Sequence, residues 1–200
     1  MRNILASPAR SLTLGLLASV AVLSLWIAFS GVDGIGFASF LLRWLHVVSA
    51  MIWVGMIWFV NFIQLAAVGE ADAAGRPAIM KLIVPRVAAT FRHASHLTVA
   101  SGIVLLITTG YLLDRAVFSA PVYIPPFRNL LLWGGALAAL VMYGLVHMTI
   151  WPNLRIVLGE IPADEAQIAA ARASIVASAR WNLILVVPVT VAMVAAAHLY

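Results

Sequence analysis

The chain has 200 residues, 64% of them hydrophobic and 10% charged, with a mean hydropathy of +1.06, values outside the range of soluble domains and expected of an all-α integral membrane protein. It contains no cysteine, which excludes disulfides, iron–sulfur clusters, thiolate metal sites and cysteine nucleophiles, and leaves histidine, methionine and carboxylate as candidate ligands. A net charge of +5 would suggest nucleic acid in a soluble protein. Here the basic residues flank apolar segments, where they orient the chain and meet anionic lipid, so no nucleic-acid partner is expected.

About 20 apolar residues are needed to cross about 30 Å of hydrocarbon. Five such spans are expected, at roughly 11–30, 39–67, 94–113, 129–151 and 181–199, forming a helical bundle with residues 1–200 as one domain. Arg2 and Arg10 precede the first span and Ala28 and Ser30 follow the pattern of a cleavage site, but the apolar region is long for a signal peptide and reads as a retained helix. The segment 68–92 is a loop in this reading. The connection 114–128 contains three prolines and no helical period, so it is expected to be irregular. Within the segment 152–180, the stretch PADEAQIAAARASIVASAR opens with Pro162, Asp164 and Glu165 and continues rich in alanine, as a helix lying at the interface before the last span would.

Orientation follows from the basic residues. With a cytoplasmic N-terminus, Arg2, Arg10, Arg76, Lys81, Arg86, Arg92, Arg155, Arg172 and Arg180 lie inside, against Arg43, Arg115 and Arg128 outside. The expected location is the bacterial cytoplasmic membrane, with the C-terminus periplasmic.

All five histidines, His46, His93, His96, His147 and His198, fall within spans or at their edges, and four spans contribute at least one. An ionisable side chain at membrane depth marks a functional site by default, the plainer alternative being a hydrogen bond to a neighbouring helix. His46 and His198 belong to the outer half of their spans, and His147, His93 and His96 to the inner half. Neutral imidazoles on facing helices can supply both axial ligands of a haem iron. Without cysteine the haem must be b-type, one or two per chain: His46 with His198 toward the outside, His147 with His96 or else His93 toward the cytoplasm. The two levels are expected about 15 Å apart at about 1.5 Å per residue.

Arg43 precedes His46 by three residues and Arg92 precedes His96 by four, so each shares a helix face with a histidine and suits a haem propionate. Snorkelling to the headgroups is the alternative for both. Small residues, among them Ser49, Ala50, Gly55, Gly102, Gly134, Gly135 and Gly144, permit close approach of helices or of a flat macrocycle. A rival chemistry comes from Met51, Met56, Met142 and Met148, since thioether with imidazole is a copper(I) ligand set. No phosphate-binding glycine loop, G-x-S-x-G elbow or H-E-x-x-H pair occurs, and no catalytic residue is assigned.

The stretches LLRWLHVVSAMIWVGMIWF, IWPNLRIVLG and ARWNLILVVPVTVAMVAAAHLY, in that order, resemble the membrane domain of the bacterial cytochrome c-linked urate oxidases, also called urate hydroxylases. The likeness covers roughly residues 38–200, and by it His46 and His198 match the family's motifs. The chain has no C-x-x-C-H motif, and it has histidines at 93 and 96 where the family more usually has aromatic or acidic residues.

The expected function is that of a membrane b-type haem protein passing electrons between a donor and a cytochrome c or respiratory partner. The alternatives are a copper-handling membrane protein, and an accessory subunit of a larger respiratory or photosynthetic complex that binds lipid or pigment.

Overall fold

In a computed structural model of the protein, residues 6–31, 33–109 and 126–199 are described, and among them every regular element is helical. The elements are α1 (Pro8–Ser30), α2 (Gly34–Phe59), a π-helical segment π1 (Val60–Gln64), α3 (Leu65–Glu70), α4 (Gly75–Leu82), α5 (Val84–Thr108), α6 (Pro126–Gly144), a second π-helical segment π2 (Leu145–Ile150), α7 (Trp151–Val157) and α8 (Glu165–His198). Among the described residues four stretches are long and apolar enough to cross a membrane: Pro8–Ser30, Gly34–Glu70, Phe127–Val157 and Glu165–His198. Most of the expected irregular connection 114–128, with Arg115, lies outside the described residues.

Contacts divide the chain into two compact units, Met1–Leu41 and Leu42–Tyr200. In the first, α1 begins on Pro8, whose missing N–H costs nothing in a first turn, and ends at Gly31. There the left-handed φ of 61° lets the glycine N–H reach Ile27 O. α1 has no buried residue. The start of α2 is set by Asp33, whose carboxylate accepts from Gly36 N at 2.7 Å, and Phe40 packs against Trp26 with ring centroids 6.4 Å apart.

All five histidines lie in the second unit. Its core joins Trp53 and Ile57 of α2, Phe91 and Ala94 of α5, Met142 of α6, Val146 of π2 and Val186 of α8. Three helix boundaries differ from the sequence expectation. The third long helix begins at Val84 rather than 94, because Pro85 fits a first turn and Arg86, Arg92 and their neighbours are helical although not apolar. The 68–92 segment also contains α4, started by Asp72, whose carboxylate accepts from Gly75 N at 2.6 Å. The last two expected pieces are one helix: α8 starts at a capping box made by Asp164 and Gln167 and runs 34 residues, about 51 Å, through Pro188 with no turn before residue 181.

The two π segments show how two of the quoted motifs fold. A π turn shifts the backbone register and leaves carbonyls short of donors. In π1, Asn61 supplies them: Nδ2 donates to Ile57 O at 2.9 Å and to Ala179 O of α8 at 3.2 Å. Arg180 in turn donates to Asn61 Oδ1 at 3.0 Å and to Asn61 O at 3.3 Å. In the I-W-P-N element, Pro152 lacks an N–H and π2 ends two residues before it at Ile150, while Asn153 Nδ2 donates to Thr149 O at 2.8 Å. Arg155 pairs with Glu160 at 3.0 Å, and Gly159, with φ of 77°, ends this run of helix.

Candidate functional site

One face of α5 organises the polar interior of the second unit. Ser95, Thr98 and Ser101 recur at every third residue and are buried, each at 6% exposure or less. Each hydroxyl donates to a carbonyl of its own helix: Ser95 to Arg92 O at 2.9 Å, Thr98 to Ala94 O at 2.8 Å and Ser101 to Leu97 O at 2.6 Å. With their protons so directed, these oxygens are left as acceptors for groups on other helices.

His46 of α2 meets this face toward the C-terminal end of α5. Its Nδ1 lies 3.0 Å from Thr98 O and 3.1 Å from Ser101 Oγ. A carbonyl only accepts, so Nδ1 carries the proton and donates, and the lone pair resides on Nε2. The imidazole packs directly on Gly102, where an added β-carbon would stand 3.0 Å from His46 Cε1. An Nδ1–H held by a backbone carbonyl is the arrangement that orients a ligating histidine and raises the basicity of its other nitrogen.

His147 of π2 meets the same face one and a half turns away. Its Nε2 lies 2.9 Å from Ser95 Oγ, so Nε2–H is the donor there. His96 lies against it, with ring centroids 4.1 Å apart and planes inclined by 32°, and Tyr143 stands 4.2 Å from His147 on ring centroids. The Tyr143 hydroxyl is 2.8 Å from His96 Nδ1. Two imidazoles that share an iron point nitrogens at it from opposite sides, with ring centroids about 6 Å apart at metal–nitrogen distances of about 2 Å. His96 and His147 instead meet face against face, and in this packing no slot for a porphyrin separates them. The contacts of His46 and His147 on α5 are three to six residues apart, about 4.5–9 Å along the helix rather than the 15 Å counted from span ends.

The remaining candidates are dispersed. His93 is exposed and its nearest hydrogen-bonding atom is Ala89 O of its own helix, at 3.4 Å. His198 is exposed in the last turn of α8. Arg43 is exposed three residues before His46, whereas Arg92 stacks on Trp151 with its guanidinium carbon 3.9 Å from the ring centroid. Of the methionines, Met51 and Met148 are 68% and 82% exposed, Met142 belongs to the core cluster and Met56 packs against it. Among the described residues no three histidine, aspartate or glutamate side chains stand close enough to hold one metal ion.

Sequence reasoning missed Ser95, Thr98, Ser101 and Tyr143 as histidine partners, and Asn61 as the tie between π1 and α8. The signal was present in S-H-L-T-V-A-S-G, where small hydroxyls repeat at a spacing of three beside a glycine. Arg128 Nε donates to Ala196 O at 2.7 Å, placing a cation at the C-terminal turn of α8 where the helix dipole favours it. No family model, curated protein or solved structure matches the chain.

Proposed function

We propose that the chain is a five-span protein of the bacterial cytoplasmic membrane that binds one b-type haem through His46 and carries electrons between a donor and a cytochrome c or respiratory partner. The membrane reading is supported by apolar side chains that remain exposed on the outer faces of the long helices, Val47, Met51 and Trp58 on α2 and Ile184, Val187 and Val191 on α8 among them. Such surface exceeds what a soluble monomer presents. α5 supplies the fifth span: 25 residues reach about 37 Å, and Ser95, Thr98 and Ser101 turn to the interior, while Arg86, Thr90, His93 and His96 are exposed on its first half.

The observation that carries the haem reading is the state of His46. Its Nδ1–H is held by Thr98 O, its ring is seated on Gly102, and its Nε2 is left with a lone pair. His198 is the second ligand that the family resemblance and the shared outer position favour. Arg43, three residues toward the outer end from His46, is placed to face the propionates. When bound, the haem would supply one-electron redox chemistry that none of the chain's own side chains offers at moderate potential. The chain's part is to fix the tautomer of His46, to neutralise the propionates and to keep bulk water away.

The inner group of His96, Tyr143 and His147 is assigned a structural role, a hydrogen-bonded junction between α5, α6 and π2. Copper handling is disfavoured by the outward-facing Met51 and Met148. A reduced-minus-oxidised optical spectrum of the purified protein tests the reading: a Soret band with a sharp reduced α band is expected, and a featureless spectrum after expression with ample haem contradicts it.

A further inference from the structure

Among the described residues four buried side-chain atoms that can hydrogen-bond have no partner: Trp53 Nε1, Gln64 Oε1, Arg92 Nε and Asn182 Oδ1. The last three belong to residues that line one cavity of about 70 Å³. Unpartnered buried polar groups are costly, so their gathering at one place is not neutral to stability. Both π segments also wall this cavity, π1 through Asn61 and Gln64 and π2 through Val146 and Ile150. Such register shifts concentrate where a helix has been reshaped for a site.

We propose that this cavity is a binding site for a small, uncharged, planar amide, of which formamide and urea are the simplest. The donor set dictates the class. Asn182 is 1% exposed, and its amide is oriented by the bond from Nδ2 to Ser178 O at 3.3 Å, which leaves Oδ1 as an acceptor. Gln64 Oε1 is a second acceptor and the Arg92 Nε–H a donor. The complement is a molecule with at least two N–H donors and one acceptor oxygen.

Charge and size narrow it further. Two amide oxygens disfavour a bare anion, and the Arg92 cation is already faced by the Trp151 ring. Asn61, the other amide in the wall, is fully engaged with Ile57, Ala179 and Arg180. At about 30 Å³ of liquid per water molecule, 70 Å³ is the space of about two waters, which admits only the smallest organic solutes, while an aromatic ring needs a cavity of about 150 Å³. Apolar walls from Ile57, Phe91 and Leu154 complete a site of the ordinary kind, mostly hydrophobic with a few polar groups that fix orientation. This proposal does not depend on the haem reading, since none of its residues is a histidine.

The test is equilibrium binding of isotope-labelled urea and of formamide to the full chain in nanodiscs, followed by saturation-transfer NMR, with formate and tetramethylurea as comparison probes. Saturable binding of urea and formamide, mutual competition, and no saturable binding of formate or tetramethylurea are expected. Asn182→Leu and Gln64→Met keep the side-chain volume but remove one acceptor each, and either change should weaken urea by about tenfold. Gln64 is only half-buried, so its variant remains informative if Asn182→Leu does not fold. Absence of saturable urea binding in the unaltered chain, binding of formate at least as tight as urea, or full affinity in both variants would overturn the proposal.

Discussion

His46 rests on Gly102 so closely that a β-carbon at position 102 would come within 3.0 Å of Cε1, and the same ring is held from α5 by Thr98 O at 3.0 Å. The imidazole therefore has one seat, and the seat requires glycine because the opposing atoms belong to a ring already fixed by a backbone bond. Gly102→Ala should push the ring off the Thr98 carbonyl. The expected result is a helical content unchanged by circular dichroism, with haem content reduced several-fold or the Soret maximum displaced. Unaltered spectrum and stoichiometry would mean that His46 can shift at no cost and that its seat does not matter.

Asn61 makes four hydrogen bonds, three of which tie π1 to α8: one donated to Ala179 O and two accepted from Arg180, the fourth being donated to Ile57 O of α2. Asn61→Leu leaves the Ile57 and Ala179 carbonyls without that donor and removes the side-chain acceptor of Arg180, so a loss of about 3 kcal/mol is expected. Asn61→Asp keeps an acceptor for Arg180 and should lose only part of this. Thermal unfolding in detergent ranks the three proteins. Equal midpoints would show that the π segment is held by packing alone.

The helices and the most interior histidine were legible in the sequence because both depend on local signals. Apolar runs mark helices, and an imidazole beside an arginine stands out in hydrocarbon. The start of α5 at Val84 was not legible by the same route, because hydropathy registers Arg86 and Arg92 as an interruption while the backbone registers only their willingness to be helical. The partners of the histidines were hidden for another reason. His46 to Ser101 spans 55 residues and His147 to Ser95 spans 52, and short hydroxyls weigh almost nothing in a hydropathy count. The face-to-face packing of His96 and His147 could not be read from spacing at all, since it depends on how α5 and π2 are rotated about their axes.

The five-span reading makes the α3–α4 connection cytoplasmic and the end of α8 periplasmic, because nine of the twelve basic residues then fall on one side. The chain has no cysteine, so single cysteines report without background. Leu199→Cys should react with an impermeant maleimide in spheroplasts, and Ala73→Cys only in inverted vesicles. Labelling of both from the same side would require an even number of spans between them and would remove the outer position assigned to His46.

The central claim, a single haem held by His46 and not by the inner histidines, is tested most directly by pyridine-haemochrome quantification of three purified proteins: the unaltered chain, His46→Ala and His147→Ala. The account predicts about one haem per chain in the first, essentially none in the second, and about one in the third, because His147 bonds Ser95 and stacks on His96 rather than facing an iron. Haem retained in full by His46→Ala, or lost by His147→Ala with the helical fold intact, would contradict it.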